Sequence, residues 1–161
     1  MTDSYSRWLT IVAAVGAGIS AGVYFAFATF VMPGLRRVSH AQAISAMNGI
    51  NKSAPASPLL MLALFGTGIV CVLLMISGFR HLDDPKAVWV IAGAALYIVS
   101  VLITVTYHVP HNDQLMKVDP DAAGAGSIWS HFYSSWMAWN AVRTLTAAGG
   151  TVSLVLALRA G

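Results

Sequence analysis

The chain has 161 residues, of which 57% are hydrophobic and 9% are charged, and its net charge is +3. Soluble domains carry about 25% charged residues, so this chain has too few charged side chains to cover a water-soluble globule. The composition predicts an integral membrane protein with a single transmembrane domain over 1–161. We expect a multi-pass protein of a bacterial inner membrane, in contact with lipids. Since no run of basic residues occurs, nucleic acid is excluded as a partner.

Acidic and sulfur-containing side chains are few, which limits the chemistry available. The single cysteine, Cys71, can form no internal disulfide and has no second cysteine with which to bind zinc. The acidic residues are all aspartates, so a diiron site of the glutamate-rich bundle type is excluded. The six aspartates lie in predicted tails or loops: Asp3, Asp83, Asp84, Asp113, Asp119 and Asp121.

Four apolar runs are each long enough to cross a hydrocarbon core about 30 Å thick, which takes about 20 helical residues. They predict an all-α membrane four-helix bundle with both termini on one side. The predicted spans are 8–32, 58–79, 88–107 and 136–158, and among them only the fourth contains a charged residue, Arg143. Lys and Arg residues near the span ends are divided equally between the two sides, so their distribution does not fix the orientation.

The first span contains two glycines at the spacing of a helix-packing motif, Gly18 and Gly22. We interpret this pair as a site of close packing between helices, and the same pair would also support a homodimer. The run is too long for the apolar core of a signal peptide, and no clear cleavage site follows it, so we expect it to be retained.

The segments between the spans carry helix stop and start signals. Residues 32–34, Met-Pro-Gly, predict a break at the end of the first helix. Ser39 then predicts the cap of a short amphipathic helix over 40–52, lying at the membrane interface between spans 1 and 2. A tight loop over 80–86 joins spans 2 and 3, and a longer loop over 108–134 joins spans 3 and 4.

Polar and aromatic residues are concentrated at one end of the predicted bundle. On a helix, residues three or four apart share a face, and such stripes occur in the first, third and fourth spans. The stripes are Ser20, Tyr24 and Phe27; Tyr97, Ser100, Thr104, Tyr107, His108 and His111; and Trp136, Trp139, Asn140 and Arg143. The topology also places Asn48, Asn51, Asn112 and His131 at this end. We call it the polar end.

Arg143 is the most unusual residue of the polar end. If the fourth span begins at Trp136, the arginine lies about 10 Å deep, where an unpaired charge costs a few kcal/mol. Its candidate partners are Asp113, backbone carbonyls freed where Pro110 interrupts the third helix, and a ligand that is anionic or carries a carbonyl. Either Arg143 contributes to a binding pocket, or it locks the helices together by binding those carbonyls.

Two histidines flank a proline in His108-Val-Pro-His111-Asn112. With His131 or His40 as a third ligand, they could bind copper, zinc or iron, although spacing through a proline is a weak metal signal. Alternatively, one of them acts as an acid/base group or hydrogen-bonds a substrate, or both are structural.

Three tryptophans lie near the start of the fourth span. They could form the aromatic belt found at membrane interfaces, and we favour that interpretation for Trp129. We expect Trp139, next to Asn140 and on the same face as Arg143, to line a flat aromatic pocket.

Four segments together resemble the anthrone oxygenase-like family of small four-span membrane proteins. They are G-V-Y-F-A-F-A-T-F-V-M-P-G-L-R (22–36), A-M-N-G-I-N-K (46–52), V-P-H-N-D (109–113) and W-M-A-W-N-A-V-R-T (136–144). The resemblance covers nearly the whole chain in order. The chain departs from the family pattern at His108 and His111, where members more often have Asn and an aliphatic residue.

The resemblance implies oxidation of an anthrone to an anthraquinone with O₂, without a conventional cofactor. We expect a hydrophobic aromatic substrate that is deprotonated at an acidic CH₂ group, in a slot that also stabilises the developing oxyanion. The expected catalytic residues are His108 or His111 as base and Arg143 with Asn140 at the oxyanion. The expected substrate-binding residues are Asn112, Trp139, Tyr107, Tyr24, Phe25 and Asn51.

Two other functions remain open from the sequence. The protein could be a non-enzymatic membrane module that binds a lipid, a quinone or a partner helix. It could also be a membrane oxidase that depends on a metal held by His108, His111 and His131. Family resemblance does not decide between them, since one fold hosts many functions.

Overall fold

The computed structural model describes residues 3–160 of the chain and the side chains of residues 6–160, so the side chain of Asp3 lies outside it. The described chain is all helical. In order, the helices are Asp3–Ala26, Phe27–Val31, Met32–Leu35, His40–Ser53, Pro58–Met61, Leu62–Gly66, Thr67–Arg80, Ala87–Ile103, Thr104–His108, Val109–Leu115 and Ala125–Ala160. Three of these, Phe27–Val31, Leu62–Gly66 and Thr104–His108, are wider π-helical turns within longer helices.

Four continuous helices are long and apolar enough to cross a membrane, which confirms the predicted membrane bundle. The first membrane helix is Ser6–Leu35, the second is Pro58–Arg80, the third is Ala87–Leu115 and the fourth is Ala125–Ala160. The second agrees with its predicted span. The other three extend beyond their predicted spans at the polar end, so that helical structure there continues past the apolar runs.

The first membrane helix ends at Leu35, one residue after the break predicted at Met32–Gly34, whereas the break predicted at Pro110 is wrong. A π-helical turn precedes each proline. Proline has no N–H, and its ring clashes with the carbonyl four residues earlier. In a π-helical turn the hydrogen bonds reach back five residues, as Met32 N donates to Phe27 O and Val109 N donates to Thr104 O. The wider turn displaces the carbonyl that would clash, so both helices continue through their prolines.

The fourth membrane helix packs most extensively against the third and the first. Its buried face repeats every three or four residues and includes Trp129, Phe132, Trp136, Asn140, Arg143, Ala147, Gly150, Leu154 and Ala157. It crosses the third membrane helix where Gly93 faces Gly150, and a Cβ atom added at Gly150 would lie 3.0 Å from the Gly93 carbonyl oxygen. The two backbones can approach this closely because neither residue has a side chain.

Of the predicted packing pair Gly18–Gly22, only Gly18 contacts another helix, since a Cβ atom added there would lie 3.7 Å from Thr151 Cγ2. Gly22 is exposed, and nothing lies within 4 Å of a Cβ atom added there. Closer approaches occur at other glycines, which include Gly16 beside Thr67 and Gly93 beside Gly150. Whether Gly22 contacts a second copy of the chain stays a prediction.

Replacing Gly150 with valine is expected to destabilise the bundle by about 1–3 kcal/mol, because the added side chain forces the third and fourth helices apart. The midpoint of thermal unfolding in detergent measures this effect. Gly22→Val is the matched control, since the added side chain projects into open space. Equal midpoints for the two variants would show that the Gly93–Gly150 crossing is not a close contact.

The predicted amphipathic helix is present at His40–Ser53, and we call it the end helix. It starts with the predicted cap: the Ser39 hydroxyl accepts from Gln42 N, and the Gln42 side chain accepts from Ser39 N. This reciprocal pair satisfies two N–H groups at the helix start. Ala43, Ile44 and Met47 are buried against the third and fourth membrane helices. The end helix therefore covers the polar end of the bundle.

The loop between the third and fourth membrane helices is much shorter than predicted. Helical structure stops at Leu115 and resumes at Ala125, instead of leaving 108–134 irregular. Gly124, at φ 91°, makes the turn into the fourth helix with a backbone conformation that suits glycine. Trp129 is only 3% exposed and stacks on Phe132, so the belt interpretation of this tryptophan is wrong.

Candidate functional site

A cavity of about 360 Å³ lies at the polar end, between the end helix and the first, second, third and fourth membrane helices. Each of the three π-helical turns contributes to its wall: Phe27 from the first, Leu64 and Phe65 from the second, and Thr104 and His108 from the third. Such turns are frequent at functional sites, because they redirect side chains out of regular α-helical register. The remaining lining residues are Ser20, Val23, Tyr24, Met47, Ile50, Asn51, Ala54, Pro55, Leu60, Met61, Val109, Asn112, Asp113, Met116, Trp136 and Arg143.

Arg143 lies in the wall of this cavity and is 6% exposed. Its Nε donates to Asn140 Oδ1 at 2.9 Å, and its Nη1 donates to Thr104 Oγ1 at 3.4 Å. The guanidinium also lies over two aromatic rings, 4.2 Å from the centroid of Tyr24 and 5.1 Å from that of Trp136. Cation–π contacts of desolvated cations contribute up to about 2 kcal/mol, which offsets part of the cost of burying this charge.

No carboxylate of the described side chains pairs with the Arg143 guanidinium. Asp113, one of the candidate partners, lines the same cavity but forms no salt bridge with Arg143. The predicted carbonyls at Pro110 are not its partners either, because that helix is unbroken. A guanidinium has five N–H donors, and the two hydrogen bonds above leave the Nη2 group unused. The cavity therefore contains a buried cation with donors left for a ligand.

Asn140 lies behind Arg143 and does not line the cavity. Its Oδ1 accepts from Arg143 Nε, and its Nδ2 donates to the Tyr24 carbonyl oxygen at 3.0 Å. Both ends of its amide are thus engaged, and the residue is fully buried. The structure thus places Asn140 behind Arg143 and not at the position expected for a substrate oxyanion, and there it holds Arg143 and ties the fourth helix to the first.

The two histidines that flank Pro110 point in different directions. His108 is 1% exposed and lines the cavity, and both of its ring nitrogens are buried without a hydrogen-bond partner in the described chain. His111 stacks on Tyr107 at 3.9 Å, and its Nδ1 hydrogen-bonds the Tyr107 carbonyl oxygen at 2.8 Å. Of the two histidines, only His108 lines the cavity, because His111 packs outward on Tyr107.

Trp136 forms the aromatic wall that the sequence had led us to expect from Trp139. Its ring meets those of His108 at 4.8 Å and Phe27 at 5.6 Å, and its Nε1 donates to Asn112 Oδ1 at 3.0 Å. Asn112 lines the cavity too and fixes the orientation of this ring. The clue in the sequence was spacing, since Trp136, Asn140 and Arg143 share one face of a helix.

Half of the ten expected site residues line the cavity. The five that do are His108, Arg143, Asn112, Tyr24 and Asn51. The other five do not line it: they are Asn140, His111, Tyr107, Trp139 and Phe25. Phe25 is 59% exposed and Trp139 is 43% exposed, and Tyr107 lies between His111 and Trp139 on the outer face of the bundle. Thr104 and Trp136 were missed as site residues.

The alternative expectation is a metal bound by histidines, and the described side chains form no cluster of ligands for one. Within residues 6–160, no three side chains of His, Cys, Asp or Glu lie close enough to hold one metal ion. His108 lines the cavity, whereas His111 and His131 line a separate groove on the outside. The trio of His108, His111 and His131 is therefore not brought together.

Replacing Asn140 with alanine is expected to lower turnover about tenfold by releasing Arg143, since hydrogen bonds to charged groups contribute about 1.5–3 kcal/mol. Because Asn140 acts through Arg143, Asn140→Gln should retain more activity than the alanine variant, since it keeps an acceptor for the Arg143 Nε and a donor for the Tyr24 carbonyl oxygen. A kinetic comparison of the two variants, with thermal unfolding as the folding check, tests this. An alanine variant that folds and keeps wild-type turnover would show that Asn140 is not the residue that positions Arg143.

Comparison with known proteins gives one family. The family model described as anthrone oxygenase matches residues 47–153. The match begins within the end helix and includes the second and third membrane helices and most of the fourth, so it is narrower than the near-complete resemblance expected. No curated protein and no solved structure matches the chain. Because the matched segment covers more than half of the chain, this integral membrane protein belongs to the anthrone oxygenase family.

Proposed function

We propose that this protein is a membrane-embedded oxygenase that uses O₂ to oxidise a hydrophobic polyaromatic ketone, the reaction that the family name indicates. The observation that carries the proposal is that Arg143 and His108 both line one largely apolar cavity. A cation with unused donors and an unpaired imidazole face the same space. They are the two groups that removal of a proton next to aromatic rings requires, an oxyanion partner and a base.

The reaction begins with proton transfer. His108 takes one proton from a CH₂ group flanked by two aromatic rings, and the electron pair of the broken C–H bond passes into the rings and onto the ketone oxygen. The Nη2 group of Arg143 donates to that oxygen as its negative charge develops. A low-dielectric surrounding makes this interaction stronger than it is in water.

The oxidation then uses O₂ as the electron acceptor. The carbanion transfers one electron to O₂, and the resulting carbon radical and superoxide combine to form a C–O bond. Protonated His108 then returns its proton to give a hydroperoxide. Loss of the remaining C–H proton and cleavage of the O–O bond give a second carbonyl group and water. One ketone and one O₂ thus yield one quinone and one water.

The walls of the cavity suit an aromatic substrate that arrives from the bilayer. The second and third membrane helices pack together mainly along Thr67–Arg80 and Ala87–Ile103. Nearer the polar end both helices line the cavity instead, the second with Leu60, Met61 and Phe65 and the third with Val109, and Met116 follows it. A gap between the two helices at this level would open the cavity to lipid. We propose this gap as the entry for the substrate.

Oxygen uptake by the purified protein in lipid nanodiscs tests the proposed function. With anthrone as substrate and ¹⁸O₂, we expect one O₂ consumed for each quinone formed and one ¹⁸O atom in each quinone. Empty nanodiscs measure spontaneous oxidation. A rate no higher than that of empty nanodiscs would refute the oxygenase, and tight binding of anthrone without turnover would instead indicate a binding module.

A further inference from the structure

The end helix contributes a further polar side chain to the cavity wall, Asn51, and the mechanism above does not use it. Asn51 lines the cavity, and its Nδ2 atom is buried without a hydrogen-bond partner in the described chain. Buried N–H groups are nearly always paired in folded proteins, because an unpaired one has lost its hydrogen bonds to water. Because Asn51 lines the cavity, a ligand bound there can supply the missing acceptor once the side-chain amide turns towards it.

Asn51 and Arg143 reach the cavity from different elements, the end helix and the fourth membrane helix. Arg143 hydrogen-bonds Thr104, whereas the end helix packs on Val109–Leu115, the last segment of the third membrane helix. The cavity wall also carries apolar and aromatic side chains, which include Phe27, Met47 and Leu64.

We propose that Asn51 is a specificity-determining residue that donates a hydrogen bond to an oxygen atom on the outer ring of the substrate. This inference rests on the proposed function, in which Arg143 holds the ketone oxygen. The preferred substrate is a planar polycycle with a carbonyl at one position and a hydroxyl or second carbonyl on the ring that reaches the end helix. Aromatic ketones without that outer oxygen leave the Asn51 donor unpaired and bind more weakly.

Binding of two non-reacting quinones tests this role without requiring turnover. The probes are 9,10-anthraquinone and 2-hydroxy-9,10-anthraquinone, which differ by one outer oxygen atom. Quenching of tryptophan fluorescence reports their dissociation constants, since the Trp136 ring lines the cavity. We expect the wild-type protein to bind the hydroxylated quinone about fivefold to tenfold more tightly, as one hydrogen bond allows. Asn51→Leu should remove this preference.

Asn48 offers a matched control. It lies one turn before Asn51 on the end helix and also has a buried unpaired atom, Oδ1, but it does not line the cavity. Asn48→Leu should keep the wild-type preference. Asn51→Leu with the wild-type preference, or Asn48→Leu without it, would overturn the role of Asn51 and leave the oxygenase proposal standing. Failure of the wild-type protein to bind either quinone would overturn both.

Discussion

Replacing Arg143 with methionine is expected to lower kcat/KM by about 10²–10³-fold, the loss seen when a preorganised oxyanion donor is removed. Methionine keeps much of the side-chain volume but has neither charge nor N–H donors. The protein should still fold, because burying a cation without a carboxylate costs free energy that methionine does not incur. Steady-state oxidation of anthrone, with thermal unfolding as the folding check, measures both effects.

Arg36 provides the matched control for Arg143. It also lies over an aromatic ring, with its guanidinium carbon 5.5 Å from the centroid of Tyr133, but it is exposed and does not line the cavity. Arg36→Met should leave kcat/KM unchanged. Arg143→Met with wild-type turnover would remove the cation from the mechanism and leave it as a structural residue.

Replacing His108 with phenylalanine is expected to lower kcat by about 10²–10⁴-fold, which is the usual contribution of a general base. Phenylalanine keeps an aromatic ring next to Trp136 but cannot accept a proton. The variant should fold as stably as the wild type, because the substitution removes no hydrogen bond: both ring nitrogens of His108 are unpaired in the described chain. Single-turnover oxidation of anthrone separates this chemical step from binding.

His111→Phe is the control for His108→Phe, because the two residues flank the same proline. Its ring stacks on Tyr107 outside the cavity, so we expect turnover within about twofold of wild type, the usual limit for a change outside the site. The base would be wrongly assigned if His111→Phe lost activity and His108→Phe kept it. Equal losses in both variants would point to a structural effect on this turn.

The sequence predicted the polar end correctly because that inference depended only on topology. Four apolar runs fix which helix ends meet, and a lone arginine in an apolar run needs polar partners or water. These two arguments brought His108, Asn112 and Arg143 to one end of the bundle, and the structure places all three around one cavity. Tyr24 also lines this cavity, because the same topology brings the end of the first membrane helix to the polar end.

The orientation of side chains within that end was not predictable from regular helical spacing. A π-helical turn adds a residue to one turn of helix, so residues beyond it change face. Regular helical spacing puts Tyr107, His108 and His111 on one stripe, whereas in the structure only His108 of the three lines the cavity. In the sequence, Pro110 marks this irregular turn. A proline can indicate either a helix break or a helix that accommodates it.

The fourth helix shows a second limit of sequence reasoning. We placed its start at Trp136 because apolar residues become frequent there, but helical structure begins at Ala125. The preceding turns carry serines on the outer face, which lowers the hydropathy without breaking the helix. With the start placed correctly, the buried repeat that contains Trp129 and Trp136 becomes visible and Trp139 falls outside it.

A structure of the protein with 2-hydroxy-9,10-anthraquinone bound in lipid nanodiscs tests the central claim most directly. We predict the quinone in the cavity beside Trp136, with one carbonyl oxygen within about 3 Å of Arg143 Nη2, the distance of an N–H···O hydrogen bond. The His108 ring should face the central ring of the ligand. A quinone bound in the outer groove beside His111 and His131, with the Arg143 cavity empty, would contradict the account.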